Sequence, residues 1–251
     1  MIKPVWLAVA TTLLFTTTAL HAETNAAYDI VLLTENFPPH NMAVDGRNFA
    51  KDANINGIAV EVVREMFKRA GVSYSLTLRF PWDRIYKLAL EKPGYGVFAT
   101  ARLPERETKF KWVGPIGSDH WVLVARGDSP LAVSSLQQAG KLRIGAYKGA
   151  AIAAHLEQEG LATITSLRDQ ENAKKLMAGQ IDLWATSDPS GLYLARQEGI
   201  SDLKTILQFY NTDLYLALNN AVPDEVVEKL QSALNKMQTE GVTQAIRNRY
   251  L

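Results

Sequence analysis

The chain has 251 residues, 47% of them hydrophobic, with 27 Lys+Arg against 26 Asp+Glu and no cysteine. A formal charge of +1 provides no basic field for holding nucleic acid or an anionic membrane, which leaves a small molecule, a protein, or both as the partner. Without cysteine there is neither a disulfide framework nor a lipid-anchored thiol, and a chain of this size buries an adequate core without them.

Met1-Ile2-Lys3 supplies one positive charge, an apolar segment follows at 5–15, then a threonine-rich stretch and Leu20-His21-Ala22. The apolar core is too short to span a membrane, and the pattern predicts a secretory signal peptide over 1–22. Its removal takes away only Lys3 among the charged side chains and brings the chain to zero net charge. A freely diffusing periplasmic protein of a Gram-negative cell is expected.

Strand-like and helix-like segments then alternate, the pattern of parallel sheets covered by helices. A first strand is predicted at 29–33. In 58–70 the apolar positions 59, 62, 63, 66, 67 and 70 fall on one helical face opposite Glu61, Arg64, Glu65, Lys68 and Arg69, and Gly71 offers a C-cap. Further strands are predicted at 74–78 and 95–99 around a helix at 82–91 opened by Pro81. After an apolar run at 121–125, Asp128-Ser129-Pro130 marks a change of composition. A second set of units follows: strands at 142–146 and 181–185, and helices at 150–157, 169–177 and 189–197. An apolar run at 214–218, a helix at 223–238 and a short segment at 242–250 come last. The loop 42–56, rich in Gly, Asn and Asp, is expected to be irregular and exposed.

In open α/β sheets ligands collect at the carboxyl ends of strands. Phe37, Trp82 and Arg106 each follow a predicted strand. Arg106, in Thr100-Ala101-Arg102-Leu103-Pro104-Glu105-Arg106, carries a planar fork that takes a carboxylate bidentately and keeps its charge. An arginine is more commonly a solvated surface group, and that is the reading for Arg102, Lys109 and Lys111. Phe37 and Trp82 suit a core as well as a cleft. Glu35 reads equally as a contact to a cationic ligand group and as a surface acid. Gly149-Ala150-Ala151 opens a helix whose free N–H groups favour an anion, although a plain helix start has the same sequence. It is not a phosphate-binding loop, which needs Gly-Lys-Ser/Thr after a longer glycine spacing.

Phe37-Pro38-Pro39, the glycine-terminated helix, Pro81-Trp82-Asp83, the segment 100–116 and Gly145-Ala146-Tyr147-Lys148-Gly149 together resemble the family 3 periplasmic solute-binding proteins, amino-acid-type receptors of ABC importers, from about residue 28 to 251. The resemblance implies an α/β, two-lobed periplasmic binding protein fold, each lobe a mostly parallel sheet flanked by helices. Two crossing strands near 121–125 and 211–216 would join lobe 1, residues 23–122 and 213–251, to lobe 2, residues 123–212. It implies that Arg106 grips a ligand carboxylate between Phe37 and Trp82. The chain departs from that pattern in three places. Ala101 stands where a Ser or Thr is usual, with Thr100 adjacent, and Ala150 and Ala151 follow Gly149 where a Thr is usual. The acid that would pair with a ligand ammonium is displaced: Ser187 stands at its place and Asp188 one residue later, where it could equally cap the helix after Pro189.

No catalytic pattern stands out. The four histidines, 21, 40, 120 and 155, lack metal-ligand spacing, and no nucleophile elbow, zinc or calcium motif is present, so no metal or cofactor is expected. The expected function is capture of a small anionic or zwitterionic solute by a monomer that works with an importer permease or a periplasmic sensor domain. Conversion to a dehydratase-like enzyme is the rival reading; it needs one cleft acid of suitable pKa, for which Glu35 or Asp188 could serve.

Overall fold

A computed structural model describes residues 29–250; the expected signal peptide, 1–22, lies outside the described residues. In chain order the elements are β1 (Asp29–Thr34), the short strands β2 (Met42–Ala43), β3 (Phe49–Lys51) and β4 (Ile55–Asn56), α1 (Ile58–Ala70), β5 (Ser73–Arg79), α2 (Trp82–Glu91), β6 (Tyr95–Ala101) and β7 (Lys111–Arg126). The middle of the chain gives α3 (Leu136–Ala139), β8 (Ile144–Tyr147), α4 (Ala151–Gln158), β9 (Thr163–Ser166), α5 (Gln170–Met177), β10 (Leu183–Asp188) and α6 (Ser190–Gln197). Then follow β11 (Leu203–Leu218), α7 (Asp224–Thr239) and α8 (Val242–Arg247).

Nine strands form one mixed sheet in the order β3-β5-β1-β6-β11-β7-β10-β8-β9. β1 runs parallel to β5 and β6, and β8 runs parallel to β9 and β10, so each end of the sheet is mostly parallel. Between them β7 and β11 pair antiparallel along their whole length, from Lys111 opposite Leu218 to Arg126 opposite Leu203. A 16-residue strand spans roughly 50 Å, enough to pass from one lobe into the other. β6 pairs only with the 214–218 end of β11, and β10 only with the 120–124 end of β7 around their shared crossing, so the ribbon is the connection between two flanked halves.

Four apolar clusters largely follow this division, one of the second-lobe clusters also taking in Ala101 and Leu103 at the crossing. On one face of the first lobe, Leu32, Leu76, Leu78 and Phe98 pack on Val63, Met66 and Phe67 of α1 and on Leu230, Leu234 and Met237 of α7. The late helix α7 is thereby part of the first lobe. On the other face Leu33, Val97 and Ala217 meet Ile85 and Ala89 of α2. In the second lobe Ile144, Ala146 and Leu183 pack on Ile152 and Leu156 of α4, while Val124 and Trp184 pack on Leu176 of α5 and Ala195 of α6. Each Val, Leu, Ile, Met or Phe among them contributes about 1.5–3 kcal/mol on full burial.

Helix α1 shows how directly sequence becomes structure here. Its expected face, including Ala59, Val62, Val63, Met66 and Phe67, is buried, and it stops at Gly71, whose φ of 65° lets Val72 N–H reach back to Phe67 C=O at 3.2 Å. The loop expected to be irregular contains an antiparallel pairing of β2 with β4, and between them β3 pairs with the edge of β5. Arg64 holds it from α1 by bonds to Ile55 C=O at 2.9 Å and Asp52 Oδ1 at 2.7 Å.

Candidate functional site

The carboxyl ends of β1 and β6 meet those of β8 and β10 around a cavity of about 180 Å³, small for a ligand pocket and suited to a small solute. β6 is bulged where it reaches the cavity. Thr100 opposes Tyr215 and Phe98 opposes Leu216, which leaves Ala99 unpaired with a φ of 56°, a left-handed conformation costly for a residue with a Cβ. Ala99 and Ala101 line the cavity, whereas Thr100 turns inward and its hydroxyl donates to Val97 C=O at 3.3 Å. Two small side chains thus leave room where Arg106 approaches.

Arg106 sits on the 3-10 turn Pro104–Lys109 after β6, with its N–H on Leu103 C=O at 2.9 Å. It is only 8% exposed, lies over the Tyr86 ring at 5.0 Å, and makes one long side-chain bond, 3.4 Å to Ala101 C=O. Among the described residues no acid lies within 4 Å of it, and burial pulls its pKa down. Five N–H donors with one weak acceptor leave capacity for an anion. Arg102, four residues earlier, is exposed and paired with Glu107, and Lys111 is paired with Asp224.

Phe37 and Trp82 both line the cavity. Phe37 stacks on His40 at 5.2 Å, and Trp82 begins a row of rings through Tyr86, Phe110 and Trp112. Glu35 lies beside them, and a single hydroxyl from the opposite lobe ties the two loops together. Tyr147 donates to Glu35 Oε2 at 3.0 Å and accepts from Trp82 backbone N–H at 3.1 Å. Burial pushes the Glu35 carboxyl up to about 8, against the lowering effect of the Tyr147 bond. Protonated or not, the acid is part of a cross-cleft contact.

Ala150 and Ala151 line the cavity at the start of α4, and Gly149 turns the chain into it with a φ of 77°. Gly149 itself faces Asp83 of the other lobe, so closely that an added Cβ would stand 3.3 Å from Asp83 Cβ. The carboxylate of Asp188 is not in the cavity. It lies behind the ribbon with His40, His120, Asp213 and Arg247, and its carboxylate makes no hydrogen bond among the described residues, to helix α6 or elsewhere.

Two other acids do line the cavity. Asp169 has both oxygens occupied, by Thr186 Oγ1 at 2.6 Å, Trp184 Nε1 at 2.8 Å and Asn172 Nδ2 at 3.2 Å, while burial raises its pKa. Asp119, on β7, is 2% exposed; Ser187 Oγ donates to its Oδ2 at 2.7 Å and its Oδ1 has no partner. Burial pushes Asp119 up to about 7, with the Ser187 bond, the His120 backbone N–H and the Trp121 side chain opposing. Thr34 Oγ1 and Asn41 Oδ1 are likewise buried without partners in the cavity wall.

The sequence profile of the bacterial extracellular solute-binding proteins, family 3, matches residues 30–251. The chain belongs to this family. Among solved structures, this family 3 protein is similar to a histidine kinase sensor domain with similarity to periplasmic binding proteins, at 17% identity and a TM-score of 0.79, over 89% of this chain and 96% of that one. An ancestral arginine-binding protein bound to glutamine superposes with a TM-score of 0.74 at 18% identity, over 89% and 98%. The arginine-, lysine-, histidine-binding protein ArtJ of Geobacillus stearothermophilus does so at 0.75 and 17%, over 89% and 95%. At these identities the likeness shows the fold, a two-lobed α/β binding protein. No curated protein sequence matches the chain.

The sequence of this family 3 protein left Asp119, Asp169 and Tyr147 without a role. Tyr147 stands in the Gly145–Gly149 run but looks there like one more apolar strand residue. Asp119 carried a usable signal: an acid followed within two positions by the apolar run 121–125 sits on a strand that is about to be buried on both faces. Among the described residues no helix is long and apolar enough to cross a membrane, and no cluster of metal-ligating side chains occurs.

Proposed function

We propose that this chain is a periplasmic solute-binding protein that captures a small solute bearing a carboxylate, an amino acid or a close relative, for an ABC importer. The observation that carries the reading is Arg106, buried and without an acidic partner, beside a partly open cavity flanked by Phe37 and Trp82. The amino acids named for the ancestral arginine-binding protein and ArtJ support that class of solute. Taken as 23–122 with 213–251 and as 123–212, the lobes hinge on the β7–β11 ribbon. In the open form the solute meets Arg106 through its carboxylate, and Phe37 and Trp82 pack its body. Closure brings Ala150, Ala151 and Tyr147 over it, with the Tyr147 hydroxyl bridging Glu35 and the α2 N-terminus.

The kinase sensor domain favours a second reading, in which the closed form is read by a signalling partner instead of a permease. Both readings are of a monomeric receptor that releases its solute unchanged, and export rests on the segment 1–22. The test is thermal unfolding against a panel of amino acids, amines and carboxylates. A solute at a hundred times its Kd adds about 2.7 kcal/mol of stability. The expected result is a shift that Arg106→Ala abolishes; chemical conversion of the solute, recovered after incubation, would instead establish an enzyme. Loss of solute uptake in cells lacking the protein separates the importer from the sensor.

A further inference from the structure

We infer that the solute is a monocarboxylate with an apolar body and no amine, held at Arg106 by its charge and in the ring-lined cavity by its carbon skeleton. The inference rests on the receptor reading and narrows it, among amino acids and their relatives, to those that lack the ammonium.

Among the described residues five charged side chains line the cavity: Glu35, Arg106, Asp119, Arg168 and Asp169. Arg168 is exposed and paired with Glu171 at 3.0 Å. Arg106 is buried, with a ring face and one long bond as its partners, so an anion from the solute balances it.

An ammonium finds no such welcome, because each acid has already disposed of its oxygens. Asp169 accepts from Thr186, Trp184 and Asn172, all within the second lobe. Asp119 Oδ2 accepts from Ser187, and Oδ1 is buried with no accessible surface. Glu35 Oε2 accepts from the Tyr147 hydroxyl, itself fixed by Trp82 N–H, so an amine drawing on that oxygen would compete with the contact that joins the lobes. Burial raises all three carboxyls, Glu35 to about 8 and Asp119 to about 7, which withholds negative charge further at neutral pH.

The remaining wall suits carbon. Phe37, Phe80, Trp82, Trp121, Ile152 and Leu214 line the cavity, and Ala101, Ala150 and Ala151 bring no hydroxyl to receive an N–H. Asn36 has both ends of its amide committed to the loop after it, to Arg47 C=O and Ala43 N–H. An ammonium carries three N–H donors and a charge, and burying it unpaired is costly. A monocarboxylate neutralises Arg106 and covers its skeleton with rings, whereas the matching amino acid adds a positive charge that no carboxylate in the wall is free to meet.

Calorimetric titration and thermal unfolding of the purified full chain at pH 7 test this with pairs that differ only in the amine: phenylalanine with hydrocinnamate, leucine with isocaproate, and phenylglycine with phenylacetate. Arginine and lysine serve as cation-bearing controls. In at least one pair the amine-free acid is expected to bind about a hundredfold more tightly than its amino acid. Arg106→Ala should abolish that binding, and Arg106→Lys, which keeps the charge without the planar fork, should weaken it about tenfold. Equal or tighter binding of the amino acid in every pair that binds overturns the inference while the receptor reading stands, as does tighter binding of arginine or lysine than of every amine-free acid. Glu35→Gln, Asp119→Asn and Asp169→Asn would then identify the acid that holds the amine, by which of them loses the preference. If no member of the panel binds, the receptor reading falls and this inference falls with it.

Discussion

The two walls of the cavity differ in how much of their polar chemistry is already paired. The first-lobe wall presents Arg106 with one long bond and Thr34 and Asn41 with unpartnered oxygens. The second-lobe wall presents Asp169 with three donors on its two oxygens, Ser187 committed to Asp119, and Tyr147 with its hydroxyl both donating and accepting. A wall that is self-satisfied holds its shape with nothing bound; a wall that is not invites a solute. On the receptor reading proposed above, recognition then falls to the first lobe and closure to the second.

That assignment breaks most visibly at Arg106. Arg106→Ala should weaken solute binding by about 2–5 kcal/mol, read by titration calorimetry, while the unfolding midpoint without solute falls little, since the side chain gives up only one long bond to Ala101 C=O and its contact with the Tyr86 ring. Asp169→Ala should do the opposite: a loss of about 3 kcal/mol in denaturant unfolding, because the fully buried Trp184 N–H is left orphaned, whatever solute is present. If both variants lose stability equally, the contrast between the walls is wrong.

The pH dependence sharpens the picture. Glu35 and Asp119 have folded pKa values of about 8 and about 7, above their ordinary carboxylate values, so the folded chain binds more protons than the unfolded one between roughly pH 4 and 8. Stability without solute is therefore fully present below that window and falls by up to a few kcal/mol as pH rises through it. The groups acting on these acids, Asp169, Asp83 and Asp188 as like charges and Tyr147, Ser187, Trp121 and the Trp82 and His120 backbones as hydrogen-bond donors, do not reverse the sign, because burial is the leading cause for both. Urea unfolding at pH 5 and pH 8 should show the drop, and Asp119→Asn should flatten part of it. A flat profile in the wild type would mean that water reaches both carboxylates.

The smallest effect is expected at the lobe contact. Tyr147→Phe removes two cross-cleft hydrogen bonds of a kind worth about 0.5–1.5 kcal/mol each, so solute release should speed up several-fold in stopped-flow measurements with little change in association. Unchanged release would place the closing force in the packing of Phe37, Trp82 and Ala151 instead.

The elements were legible in the sequence wherever one periodicity met one environment. Helix α1 was readable to the residue, from its apolar face to Gly71, because one side of it is buried and the other is not. The ribbon strands were only half readable: 121–125 and 214–218 are apolar because neighbouring strands and helices cover them, while 114–119 and 208–213 are polar or glycine-containing at the crossing. β9 escaped notice because Thr163–Ser166 lies at the sheet edge, half exposed and without an apolar face.

By itself, then, the sequence determined the alternation of strands and helices, the covering faces, and the placing of Phe37, Trp82 and Arg106 just past strand ends, since all of these depend on near neighbours along the chain. Which acids line the cavity was decided only in three dimensions. Asp188 looked like the natural candidate by position, but the strand end turns its side chain behind the ribbon, and Ser187 points inward to Asp119, 68 residues earlier. Alternation on a strand sends successive side chains to opposite faces, so a displacement of one residue exchanges cavity for back surface. Only the pairing of β10 with β7 fixes which of the two is which.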